Sequence, residues 1–254
     1  MATIAIFNSK GGVGKTTVAV NLAWEAARAG YRTLLWEIDE QGDSSWILGN
    51  DRPLPRPNMA ALMNDLRHVR QYVRPSQLPG LSVIAGDTDL RRTDNFFVQF
   101  ARQQRLNRMV EGMKEEYDVI ILDCAPGFSD ANRKILLMVD LIVVPIIPSA
   151  LSLRGMLRIR DFLTQNRGHH PPMLPVFSMV DRRRKTHNSA LSAHPEWPVI
   201  PMASEIEQMT EQKAPVEKIA PDGVGARVFH LLWLGVERKL RSMLVIKTMR
   251  LAAE

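Results

Sequence analysis

Cysteine is almost absent from this chain of 254 residues: Cys124 stands alone. One thiol rules out a disulfide framework and suggests a reducing compartment. It also argues against an iron–sulfur carrier, whose cluster needs several thiolates. No apolar run approaches the ~20 residues that span a bilayer. No signal peptide is visible either, since Met1 leads straight into a strand-like run, and a cytoplasmic location is expected. Internal repeats and a second domain are missing as well. With 45% hydrophobic residues, the chain can bury a full core as one α/β domain over 1–254.

A glycine is missing too, at an informative place. Asn8-Ser9-Lys10-Gly11-Gly12-Val13-Gly14-Lys15-Thr16-Thr17 nearly fits the phosphate-binding pattern G-x-x-x-x-G-K-[ST], but Ser9 stands where the first glycine belongs and Lys10 follows it. The flanks fit a phosphate site. Thr3 to Phe7 is a short apolar run typical of a buried parallel strand. Thr16 to Ala29 reads as a helix that Gly30 closes. Strand, glycine turn and helix N-terminus together aim backbone N–H groups and partial positive charge at one point, which suits a polyphosphate. Lys15 is expected to reach the β- and γ-phosphates, and the Thr16 hydroxyl to ligate Mg²⁺.

Two acids complete the expected site. Tyr117 to Asp123 is an apolar strand ending in an acid, and Asp123 is expected to hold Mg²⁺ through its water shell. Thr33 to Asp39 is a second strand with an acid at its C-terminal end. Open parallel sheets bind ligands at that edge, so Asp39 and Asp123 should both face the phosphates.

At these residues the chain resembles a known family, the ParA/MinD ATPases. Lys10 to Thr17 resembles their deviant Walker A motif, Glu37-Ile38-Asp39-Glu40-Gln41-Gly42-Asp43 the segment usually written D-L-D-P-Q-G-N, and Asp123-Cys124-Ala125-Pro126-Gly127 the D-x-x-P segment. Val143-Val144-Pro145, Met179 to Arg183 and Ile200-Pro201 fall in the family's order, so the likeness covers nearly the whole chain. The resemblance implies that Lys10, Gly11, Gly12, Val13, Gly14, Lys15, Thr16 and Thr17 bind ATP. It places Pro201 near the base, Thr16 and Asp123 on the metal, and Lys10, Lys15 and Asp39 in catalysis. It also implies that Lys10 reaches across an ATP-sandwich homodimer to the partner's phosphates, while Asp39 positions the attacking water. Physics agrees with that role for Lys10. Four lysines facing two triphosphates repel one another less when the anions are present, so ATP favours the dimer and loss of the γ-phosphate releases it.

Elsewhere, Asp51 to Pro57 reads as a proline-broken loop, Leu81 to Ala85 as a strand, and Arg102 to Glu116 as a helix. Leu141 to Pro145 reads as a strand, Ser152 to Gln165 as a helix, Val176 to Met179 as a strand, and His169 and His170 as solvent-facing turn residues. This alternation predicts a doubly wound, mostly parallel sheet flanked by helices, of the P-loop NTPase type. No helix-turn-helix region precedes the phosphate loop, as in the shorter ParA relatives.

Net charge is +6 and the pI about 9.7, which favours a polyanionic partner. Arg227, Arg238, Lys239, Arg241, Lys247 and Arg250 face only Glu237 and Glu254, so four of the six net charges fall in the last 28 residues. The segment from about 225 to 254 reads as helical and basic. ParA relatives bind DNA without sequence preference through basic residues near the C-terminus, and the resemblance assigns that role to Arg227, Arg238, Lys239 and Arg241. One departure stands out: many relatives carry an arginine where this chain has Val224. Arg182 to Lys185 is a second basic run, placed by the resemblance near the adenine pocket. The resemblance implies a nucleoid-associated ATPase, slow alone and stimulated by a ParB-like or cargo adaptor protein, that positions a plasmid, chromosome region or protein cluster. Two alternatives stay open. Val228, Leu231, Leu232, Leu234, Leu240, Met243, Leu244, Ile246 and Met249 among the bases allow a MinD-like membrane contact. The same fold also serves ATP-dependent metabolic ligases, which need no lysine directed across an interface.

Overall fold

The computed structural model describes residues 1–39, 41–49, 66–86, 110–113, 115–166 and 170–251; the side chains of 66–68 and 244–251 lie outside that description. Eight strands form one sheet: β1 (Ala2–Ile6), β2 (Thr33–Glu37), β3 (Arg74–Pro75), β4 (Leu81–Ile84), β5 (Val119–Asp123), β6 (Leu141–Ile146), β7 (Met173–Val180) and β8 (Val199–Pro201). Their spatial order is β3-β4-β2-β5-β1-β6-β7-β8. All neighbours run parallel except β3 and β4, which are antiparallel.

Five helices matter to the site: α1 (Lys15–Arg28), α2 (Asp43–Leu48), α3 (Asp130–Met138), α4 (Ala150–Gln165) and α5 (Lys185–Ala193). Three one-turn helices, α6 (Ser204–Glu207), α7 (Met209–Gln212) and α8 (Val216–Ile219), lead to the long α9 (Val224–Leu251). The central strands β1, β2, β5 and β6 read as unbroken apolar runs because helices cover both faces. Within those runs side chains still alternate. Ile4, Ile6, Val119 and Ile121 face the core shared with α1 and α9, whereas Ala5, Phe7, Ile120 and Leu122 face the core shared with α3 and α4.

The expected helix after the glycine turn is present within one residue at each end, and Gly30 follows it with φ 91°, where a β-carbon would be strained. Of the expected helix from Arg102 to Glu116, residues 110–112 are helical and the chain turns before β5; the rest lies outside the described residues, as do Asp51 to Pro57 and His169. His170 is half-buried, its ring nitrogen 3.1 Å from the Pro171 carbonyl, rather than solvent-facing. The basic C-terminal segment forms α9, whose Ala226, Phe229, Leu232, Trp233, Val236 and Leu240 are buried. That i, i+3, i+4 stripe docks on α1, whereas Leu231 and Leu234 are exposed and Met243 is half-buried.

Candidate functional site

The chain reverses its winding direction around β1, and the loop leaving β1 sits in the crevice that such a reversal opens. Gly12 (φ 66°) and Gly14 (φ 82°) adopt left-handed backbone, and Gly14 caps α1 with no side-chain hydrogen bond to the helix. The first-turn N–H groups of α1 are thus not occupied by a capping side chain. Around Gly11 and Gly12 a β-carbon would meet nothing within 4 Å, so the cradle is open.

Neighbouring strands hold this loop in place. The buried Asn8 amide donates to the Pro145 carbonyl at 2.7 Å and accepts the Lys10 N–H at 3.0 Å. The Ser178 hydroxyl donates to the Val13 carbonyl at 2.6 Å, and the Gly127 N–H donates to Ser9 O at 2.9 Å. A register shift between Phe177 and Val180 accompanies Ser178, with Met179 in left-handed backbone at φ 52°. Such strain is kept where surrounding structure fixes it. Here the Met179 methyl group lies 3.7 Å from where a Gly14 β-carbon would be.

The two lysines differ. Lys15 is 7% exposed, whereas Lys10 is exposed and its side chain meets no partner among the described residues. Asp123 ends β5 and is fully buried. The Ser44 hydroxyl donates to its Oδ2 at 2.5 Å, while Oδ1 accepts no hydrogen bond among the described residues. Burial, with the Glu37 charge beside it, pushes the Asp123 carboxyl up to about 7, against the opposing pull of the Ser44 and Thr16 hydroxyls and Lys15. A buried acid with an orphaned oxygen, next to a threonine hydroxyl and an open phosphate cradle, suits a divalent cation. Thr16 and Asp123 would hold it, and magnesium tolerates so few protein ligands because it keeps waters.

Asp39 is half-buried just past β2, its Oδ1 accepting the Gln41 N–H at 3.1 Å. Burial, and after it the charge of Asp123, raises the Cys124 thiol well above its ordinary range against the pull of Lys15, so that thiol stays neutral. Phosphate loop, Asp39 and Asp123 therefore gather at one sheet edge. Pro201 ends β8 at the same edge, three strands from β1.

The basic candidates lie elsewhere. Arg241 hydrogen-bonds Glu237 at 2.8 Å and the Tyr31 hydroxyl at 3.2 Å, and Tyr31 follows the C-terminal end of α1. Arg238, Lys239 and Arg241 are thus placed toward the sheet edge opposite the phosphate loop. Arg227 hydrogen-bonds the Asp222 carbonyl, while Arg238 and Lys239 are exposed and unpaired among the described residues. Lys247 and Arg250 fall where no side chain is described. In the other basic run, Arg183 and Arg184 pair with Asp181 at 2.9 and 3.9 Å.

Three site residues escaped sequence reasoning. Glu37 is buried, and its carboxylate accepts the N–H groups of Ser44 at 2.8 Å, Ser45 at 3.3 Å and Gly86 at 3.0 Å. Burial raises its pKa, and those N–H groups oppose the shift. Ser44 bridges both acids, giving its amide to Glu37 and its hydroxyl to Asp123. Gly86 follows β4 and lies so close to the Asp39 backbone that a β-carbon would overlap the Asp39 carbonyl and come within 3.2 Å of Glu37 Cγ. A strand-final acid was the one legible signal among these.

Comparison with known proteins agrees with this geometry. Residues 1–173 match the family described as AAA domain. The chain is 32% identical over 190 residues to the chromosome partitioning protein ParA of Caulobacter vibrioides (strain NA1000 / CB15N), covering 72% of this chain and 71% of that one. Among solved structures it is similar to the septum site-determining protein MinD of Pyrococcus horikoshii OT3, complexed with Mg-ADP (TM-score 0.77, 22% identity, 94% of this chain and 97% of that one). Cobyrinic acid a,c-diamide synthase of Mycobacterium smegmatis, with bound ATP analog and magnesium, shares the fold equally well (TM-score 0.77, 22% identity, 95% and 96%). Phosphate loop, buried strand-end acid and sequence likeness together show that the chain belongs to the ParA/MinD family of P-loop ATPases.

Proposed function

We propose that this chain is a positioning ATPase of the ParA type, which closes into a dimer over two ATP molecules, binds DNA without sequence preference, and opens when ATP is hydrolysed. The split between the two lysines carries the reading. Lys15 is buried at the helix start, where it serves the phosphates of its own copy. Lys10 stands exposed at the mouth of the same loop, and a second copy's phosphates are the partner its position suits.

In this reading the N–H groups of Gly11 to Thr16 cradle the β- and γ-phosphates. Asp39 orients a water whose oxygen bonds to the γ-phosphorus as the bond to the β–γ bridging oxygen breaks, leaving ADP and phosphate. Thr16 and Asp123 would hold Mg²⁺, which would neutralise part of the phosphate charge. Turnover is slow for the chain alone, and an adaptor protein stimulates it. Pro201 borders the base. Arg227, Arg238 and Lys239 contact DNA phosphates, and location over the nucleoid follows from that contact. Arg241 contributes less, because Glu237 and Tyr31 already engage it.

A MinD-like lipid contact is the second reading. It is favoured by Leu231 at 65% and Leu234 at 39% exposure between Arg227 and Arg238 on the outer face of α9. Among the described residues no helix is long and apolar enough to cross a membrane.

The test uses the hydrolysis-blocked variant Asp39→Ala. With ATP it should sediment as a dimer and retard random duplex DNA; with ADP it should do neither. Adding Lys10→Ala should abolish the dimer. Adding Arg238→Glu and Lys239→Glu should abolish DNA retention and leave the dimer intact, and retention by the parent should weaken steeply with salt. A monomer throughout would refute the sandwich, and co-sedimentation with anionic liposomes without DNA retention would favour the lipid reading.

A further inference from the structure

Helix α4 starts at the same sheet edge as the phosphate loop, directly after β6. It touches the loop's first residues. A β-carbon on Gly155 would lie 3.3 Å from both Asn8 Oδ1 and Ser9 Oγ. At 3.6 residues per turn, Leu151, Arg158 and Arg154 fall about 40°, 60° and 100° from Gly155 on one side of the helix, while the buried Ser152, Ile159, Leu163 and Met156 fall on the other. The stripe Leu151–Arg154–Arg158 therefore flanks the line where α4 meets the start of the loop. Side chains on a helix lean toward its N-terminus, which here points to the phosphate edge.

All three residues of this stripe are exposed, Leu151 to 69%. Neither Arg154 nor Arg158 makes a hydrogen bond or ion pair among the described residues. Other arginines nearby are engaged: Arg160 pairs with Asp161 at 3.2 Å, and Arg133 lies 3.6 Å from Asp130 and over the Phe128 ring. Lys10 on the loop, and Arg154 and Arg158 on the helix that adjoins its start, are thus three cations whose side chains have no partner among the described residues, with the exposed Leu151 beside the arginines. Uncompensated like charges around an open phosphate cradle repel one another, and a polyanion arriving at that flank relieves the repulsion.

We propose that Arg154, with Arg158 one turn behind it, joins Lys10 in facing the triphosphate of a second copy of this chain, and that Leu151 packs against that copy. The inference rests on the ATP-dimer reading. It extends that reading from one cross-interface lysine to a cationic strip that includes α4.

The experiment is sedimentation velocity of the full chain in the Asp39→Ala background with ATP and Mg²⁺, across protein concentration and salt. Arg154→Ala should weaken the dimer by about tenfold or more, and Arg154→Glu further. Arg154→Lys should restore most of the loss. The salt dependence of dimerisation should flatten in Arg154→Ala. ADP affinity on dilute protein and the thermal melt control for an intact fold. If the Asp39→Ala parent stays monomeric, the dimer reading itself fails. If that parent dimerises and Arg154→Glu dimerises as tightly with the same salt slope, the role of Arg154 is overturned while the dimer stands.

Discussion

Replacing Asp123 with asparagine should stabilise the nucleotide-free protein at high pH, because burial and the Glu37 charge outweigh the opposing pull of the Ser44 and Thr16 hydroxyls and Lys15. A carboxyl raised from 3.8 to about 7 carries a penalty of about 4 kcal/mol once it is ionised in the folded state. The sign follows from proton counting. Between those two values the folded chain holds a proton that the unfolded chain has lost, so stability falls as pH rises through the window and the full penalty applies above it. Asparagine removes the charge and can still accept from Ser44, but its amide hydrogens would replace the orphaned Oδ1, at a cost of about 1–3 kcal/mol. The net expectation is that Asp123→Asn gains about 1–3 kcal/mol over wild type at pH 8, or several degrees in Tm for a chain of this size. At pH 5 the wild-type acid is protonated and the advantage should vanish. Thermal melts of both proteins at pH 5 and 8 without divalent cation measure this. Millimolar Mg²⁺ with ADP should then stabilise wild type far more than the variant. A stability difference that does not change between pH 5 and 8 would refute the claim that burial and the Glu37 charge dominate at this carboxyl.

Two further outcomes concern the loop that carries Asp39. Gly86→Ala forces a β-carbon onto the Asp39 carbonyl, so it should lower phosphate release by about 100-fold through misplacement of the acid and cost about 1–3 kcal/mol in urea unfolding; wild-type turnover would show that Gly86 does not govern Asp39. Glu37→Gln replaces one oxygen with an NH₂ group that faces backbone N–H donors, so the amides of Ser44, Ser45 and Gly86 should exchange hydrogen faster, and unchanged protection would remove Glu37 from the role of loop anchor.

What could be read from the sequence was what depends on neighbours along the chain. The Thr3 to Phe7 run, the glycine turn and the helix after it are local signals, and all three are present as β1, the loop with Gly12 and Gly14 in left-handed backbone, and α1. The acid that ends β5, Asp123, is likewise a local signal; Asp39 is expected to end its strand too, but β2 stops at Glu37 and Asp39 lies two residues beyond it. Contacts that join distant segments left no such trace. Ser44 reaches Asp123 across 79 positions and Gly86 reaches Glu37 across 49, and in sequence each reads as an ordinary turn residue. The basic tail shows the opposite error. Counting charges treats Arg241 as open surface, although its i, i+4 neighbour Glu237 was visible and in the fold occupies it. Arg154 was silent because a lone arginine on a helix means little until Gly155 is seen against Asn8 and Ser9.

Glu37 and Asp123 are opposite each other in register on adjacent strands, and both are buried. Two such acids repel, so the fold must tie them to something, and Ser44 is the shared tie. Its amide is fixed by Glu37, and its hydroxyl by Asp123. Ser44 also lies in α2, whose exposed Trp46 carries the Lys213 ammonium 4.2 Å from its ring centre. A cation can reach the unpaired Oδ1 of Asp123 without displacing the Ser44 hydroxyl from Oδ2, while the Glu37 carboxylate keeps hold of the Ser44 amide. Asp39 follows Glu37 by two positions and precedes the start of α2, so the segment that carries it is tied at one end by β2 and at the other by the Ser44 amide on Glu37. The two buried acids and the start of α2 are thus joined through one serine, whose hydroxyl holds one oxygen of Asp123 and leaves the other open.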